Sequence, residues 1–75
     1  MQKEVSRLKS AVREILGELP SQMFLCRIDK TLDEGLYDRQ TLHKSCAKVE
    51  NMVKLFIGVD EAKEIRRQYS DILAG

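Results

Sequence analysis

Tryptophan is absent from these 75 residues, proline occurs once, cysteine twice, and the remaining aromatic rings are two Phe and two Tyr. Two cysteines are too few for the disulfide framework of a small secreted scaffold. A single proline excludes a Pro-rich linker or a polyproline ligand. No uninterrupted apolar run approaches the roughly 20 residues that a membrane-spanning helix requires, and MQKEVSRLKS is charged from its third residue. The expectation is a soluble, cytoplasmic chain.

Charge of one sign is also missing. Lys and Arg number 13 against 12 Asp and Glu, a net charge of +1. Such a balance creates no global field toward nucleic acid or an anionic membrane. The four glycines stand far apart, so none of them builds a phosphate-cradling loop, and neither G-x-S-x-G, H-E-x-x-H nor C-x-x-C occurs. No cofactor is implied, and no catalytic constellation stands out.

What the sequence does contain is helical period. Val5, Leu8, Val12, Ile15 and Leu19 recur at steps of three and four, one stripe of an amphipathic helix. Pro20 breaks that pattern and suits the first turn of a second helix, whose apolar face is Phe24, Leu25, Ile28 and Leu32. Gly17 reads as an interior position of the first helix. Gly35 reads as the stop of the second, tolerating a left-handed conformation, with Leu36 folding back on the last turn.

Asp38 offers a carboxylate to the open N–H groups of a third helix starting near Arg39. This is the longest segment, with Leu42, Cys46, Val49, Val53 and Phe56 on one stripe flanked by Met52 and Ile57. Gly58 then reads as a stop, Val59 as its hydrophobic return contact, and Asp60 as the cap of a last helix carrying Ala62, Ile65, Tyr69, Ile72 and Leu73. Short connections favour antiparallel neighbours. The fold expected is all-α, a compact up-and-down bundle of four short helices forming one domain over residues 1–75. A domain of this size buries only about 60% of its unfolded surface, so packing or self-association must supplement the core.

The stretch TLHKSCAKVE, residues 41–50, holds the only histidine. An exposed His43 on a four-helix bundle invites comparison with histidine phosphotransfer domains. Their pattern of a lysine three residues on and then a glycine is replaced here by Cys46 and Ala47. A solvated histidine at the edge of the stripe is the favoured reading. A metal site would have to draw on Cys26, His43 and Cys46, one soft ligand short of a closed zinc site, and Cys46 on the core stripe is better explained as a small hydrophobe. Cys26, beside Arg27 and one turn from Lys30, is only mildly electropositive and reads as a spectator thiol. A carrier protein would need a modifiable serine after its aspartate, where GVDEA has Glu61.

Nucleic-acid binding is the stronger rival. The second helix, the turn GLYD and the third helix could form a helix-turn-helix presenting Arg39, Gln40, His43, Lys44 and Lys48. Residues 38–58 carry four basic side chains against two acidic ones. The apolar positions expected six and nine residues after the turn glycine nevertheless fall on Thr41 and Lys44.

Apolar side chains left over from the stripes point elsewhere. Met23 and Leu55 face away from the main seams, and Met52 with Ile57 makes the end of the third helix apolar around most of its circumference. The first helix has a stripe regular enough for a coiled-coil seam, with charges alternating in sign around it. The reading is therefore a non-enzymatic protein-binding domain, acting as a homodimer or as an adaptor for another chain, with Met23, Met52 and Leu55 as contact residues.

Overall fold

The computed structural model describes residues 2–74, and the chain between them folds into four α-helices and one short 3₁₀ turn. Helix α1 is Gln2–Leu16, α2 is Gln22–Asp33, the 3₁₀ turn is Glu34–Leu36, α3 is Arg39–Phe56 and α4 is Val59–Ala74. The expected all-α, up-and-down bundle is what the chain forms. Helix α1 packs against α2 and α4, and α3 packs against the same two.

Ion pairs record the antiparallel order. Lys9 Nζ lies 2.6 Å from Asp33 Oδ1, and Arg13 Nη2 2.6 Å from Asp29 Oδ2, so moving up α1 means moving down α2. Glu34 of the 3₁₀ turn faces Lys48 of α3, and Glu50 faces Arg66 across α3 and α4, each at 3.7 Å. These pairs lie at the surface, where each contributes about 0–1 kcal/mol, so they report register more than they hold it.

The apolar stripes hold it. Val5, Leu8, Val12 and Leu16 of α1 meet Leu25, Ile28 and Leu32 of α2, Leu42, Cys46, Val49 and Val53 of α3, and Ala62, Ile65 and Leu73 of α4 in one buried core. Ile15, Phe24, Met52, Ile57, Tyr69 and Ile72 pack against it half-buried. Each large aliphatic side chain fully buried this way contributes about 1.5–3 kcal/mol of transfer free energy, before the opposing chain entropy.

The helix ends depart from the sequence expectations at all three connections. Helix α1 stops at Leu16, because Gly17 adopts φ +57° and sends its N–H back to the Arg13 carbonyl at 2.9 Å. Gly17 is thus the left-handed residue after the helix rather than an interior one. Leu16 takes the core position that the stripe assigned to Leu19, and Leu19 stands in solvent. Pro20 lies outside α2, whose cap is Ser21, its hydroxyl oxygen accepting the Phe24 N–H at 3.3 Å.

Gly35 does not supply a left-handed stop, and the chain continues through it as a 3₁₀ turn. Glycine is needed there for space. A methyl group on Gly35 would lie 2.6 Å from Leu42 Cδ1 and 2.8 Å from the Leu42 Cα, a separation that real Cβ atoms essentially never show. Leu36 is exposed rather than folded onto the last turn.

Asp38 caps α3 as expected, with Oδ1 accepting the Thr41 N–H at 2.7 Å. At the other end of α3, the N–H groups of Ile57 and Gly58 both return to the Val53 carbonyl, at 2.8 and 2.9 Å. Phe56, assigned to the stripe by its spacing, is exposed, because the next residue, Ile57, takes the place against the core four residues after Val53. The Gly58 carbonyl accepts the Ala62 N–H at 3.2 Å and so opens α4. Asp60 therefore sits inside the first turn of α4 instead of capping it, and Val59 is exposed rather than making a return contact.

Candidate functional site

An up-and-down bundle has two unlike ends. One carries the single α2–α3 connection, and the other carries both the α1–α2 and α3–α4 connections. The second end is where the unburied apolar side chains collect. Leu19 is 69% exposed, Met23 82%, Leu55 72%, Phe56 68% and Val59 48%. Among the described residues only Leu36 and Tyr37 add large exposed hydrophobics, and both lie at the first end.

Each member is positioned by a local event. The left-handed Gly17 turns the chain out of α1 and leaves Leu19 on the connection. Ser21 starts α2, placing Met23 in its first turn, directed away from the face that carries Leu25, Ile28 and Leu32. The two N–H groups that converge on the Val53 carbonyl end α3 just after Leu55 and Phe56. Phe24 and Phe56 meet edge to face, with ring centroids 5.8 Å apart and planes inclined at 67°. That geometry joins the tips of α2 and α3 and leaves most of the Phe56 ring in water.

Of the three contact residues expected from sequence, Met23 and Leu55 are thus fully presented and Met52 is half-buried against the core. Leu19, Phe56 and Val59 were missed as surface groups. Their signal was adjacency to Gly17 and Gly58, the positions at which two helices run out together.

Charges of both signs border this end. Residues 17–23 and 55–61 contain Glu18, Asp60 and Glu61 and no Lys or Arg; Lys54 and Lys63 stand just outside these limits. Glu18 and Asp60 are exposed and Glu61 half-buried, and none of the three engages in an ion pair among the described residues. A shallow depression beside Met23 is bordered by Gln22, Cys26, Arg27 and Lys30.

The other candidate residues are not assembled into a site. Cys26 is an exposed free thiol on α2, Cys46 is buried in α3, and His43 is exposed on α3. Burial pushes the Cys46 thiol up to about 11, which keeps it protonated at neutral pH. No group of three or more His, Cys, Asp or Glu able to hold a metal ion occurs among the described residues. No described helix is long and apolar enough to cross a membrane.

Arg39, Gln40, His43, Lys44 and Lys48 all lie exposed on α3, but Lys48 faces Glu34. Helices α2 and α3 run alongside each other, from the Phe24–Phe56 contact at one end to the Glu34–Lys48 pair toward the other. A helix-turn-helix instead crosses its two helices at about 90–120° to free the second for a groove. Protein-family models, curated proteins and solved structures contain no match to this chain.

Proposed function

We propose that this chain is a non-catalytic protein-binding module, acting as an adaptor for another chain or by self-association through the end formed by the α1–α2 and α3–α4 connections. One observation carries the reading: among the described residues, five of the seven large exposed hydrophobic side chains sit at that end. Scattered apolar residues on a surface need no explanation, whereas their concentration at one place marks an association surface. Met23 supplies the adaptable contact there, Leu55 and Leu19 the aliphatic ones, and Phe56 a ring only partly engaged by Phe24. Two free cysteines suit a reducing compartment, so the proposed location is the cytoplasm.

Selection from a displayed random-peptide library tests this directly. Peptides retained by the protein are expected to be lost by the Leu19→Ser/Leu55→Ser variant, with an unchanged circular dichroism spectrum showing that the bundle persists. A selection that returns nothing, together with sedimentation showing a monomer across the accessible concentrations, would remove the reading.

A further inference from the structure

The end of the bundle away from the apolar side chains carries a different feature. Lys3 and Arg7 stand one turn apart on α1, which puts their β-carbons about 5–6 Å from each other on one face. Arg39 is the first residue of α3. Together with Glu4 and with Ile72 of α4, these three cations line a single depression of about 220 Å³. We infer that this depression binds a small phosphate-bearing anion, and that a diphosphate group is the chemistry it fits.

The first support is convergence. The three cations come from two helices, and a third helix contributes the half-buried Ile72 between them. All three are exposed, and none of them forms an ion pair among the described residues. Glu4 is the one carboxylate on the lining, so three positive charges face one negative charge.

The second support is placement. A helix is stabilised by carboxylates in its first turn and by cations in its last. Helix α4 follows that rule with Asp60 and Glu61. Helix α3 opens instead on Arg39, has no acidic residue in its first turn, and engages its cap Asp38 with the Thr41 N–H. Lys3 likewise stands in the first turn of α1, beside Glu4. An anion held between Lys3 and Arg39 offsets both misplaced charges.

The third support is extent, which sets the size of the ligand. Beyond Arg7 the next depression, between α1 and α4, is bordered by Glu14 and Asp71. Another, near the start of α1, is bordered by the paired Lys9 and Asp33. The positive surface thus ends within one depression, whereas nucleic acid is held by cations repeated along its backbone. A lone carboxylate would neutralise only one of the three cations. A diphosphate carries more charge and enough acceptor oxygens to meet two guanidinium forks and a lysine together.

Calorimetric titration with sodium pyrophosphate at low salt tests the site, with sulfate and adenosine diphosphate run in parallel. Pyrophosphate is expected to bind one to one, to bind tighter than sulfate, and to raise the melting temperature. Arg7→Gln and Arg39→Gln should each weaken it by about tenfold or more, the loss of one charge-assisted contact. Glu4→Gln should tighten it, and Lys63→Gln, at the other end of the bundle, should leave it unchanged. Circular dichroism checks that each variant stays folded. Adenosine diphosphate that competes with pyrophosphate would support the site with a nucleotide as the source of the group, and its exclusion would support the bare diphosphate. Neither heat nor a melting shift with pyrophosphate, equal binding of sulfate, or equal losses for Lys63→Gln and Arg39→Gln would each overturn the inference. An oligonucleotide that binds through Arg39 and resists displacement by pyrophosphate would overturn it in favour of an extended polyanion.

Discussion

The two ends of the bundle solve the same problem differently. At the α2–α3 end the backbone is drawn so tightly that Gly35 is buried with no room for a side chain beside Leu42, and Asp38 closes the open N–H groups of α3. At the opposite end α1 and α3 run out, and Leu19, Met23, Leu55, Phe56 and Val59 stand in solvent. One end contributes to stability; the other leaves apolar surface uncovered in a bundle with little core to spare. The glycines express the contrast, since Gly35 is required for space whereas a methyl group on Gly17 would meet nothing within 4 Å and glycine is required there for its φ of +57°.

Gly35→Ala breaks this comparison most severely. The new methyl meets both the side chain and the Cα of Leu42, so the turn has to move away from α3, and overpacking of this kind costs about 1–3 kcal/mol. Urea unfolding at neutral pH should show that loss as a lowered midpoint. A midpoint unchanged from the parent would show that the α2–α3 turn yields freely and that the closed end is not closed. Gly17→Ala, with open space around it, costs about 1 kcal/mol through the left-handed backbone alone. Replacement by asparagine, which tolerates that conformation better, should recover part of the loss in the same measurement.

Asp38 sharpens the comparison through pH. The Thr41 N–H hydrogen bond, followed by the Thr41 side chain, holds its carboxyl below the ordinary value of 3.8. A group depressed in the folded state stabilises it above the unfolded pKa, and that stabilisation disappears as pH falls through the lower folded value. Asp38→Asn keeps a capping oxygen that does not titrate. As pH falls from neutral through the ordinary value of 3.8 and then through the lower folded value, the variant should therefore lose less stability than the parent, measured by thermal melts at stepped pH. Parallel curves for the two proteins would mean that the carboxylate adds nothing the amide does not.

Helical period made the middle of the bundle legible and its ends much less so. Val5, Leu8 and Val12, or Leu42, Cys46, Val49 and Val53, are read from spacing alone because every turn there has partners on the same level. Leu19 continues its stripe just as regularly in sequence, yet α1 has ended by then, and Phe56 yields its place on the core to Ile57, a choice that periodicity alone does not make. Gly17 reads as an interior position and Gly35 as a left-handed stop because glycine's two uses, conformational freedom and small size, look identical in a sequence. Asp38 was legible because its cap is local, formed with Thr41 three residues on. The candidate surface was found in part for the same reason: Met23 and Leu55 face away from their stripes whatever the neighbours do, whereas Leu19, Phe56 and Val59 became surface groups only through the relative lengths of α1, α3 and α4.

The smallest expected effect on stability is the most informative about the open end. Leu55 is 72% exposed, so Leu55→Ser removes little packing and should shift unfolding free energy by no more than about 0.5 kcal/mol. The corresponding truncation at the core, Val53→Ala two residues earlier, removes a side chain with no exposure and should cost several times more. If a chemical denaturation series instead finds Leu55→Ser as damaging as Val53→Ala, then Leu55 is covered in solution, and the end that stands open in the isolated chain is already occupied by another molecule of it.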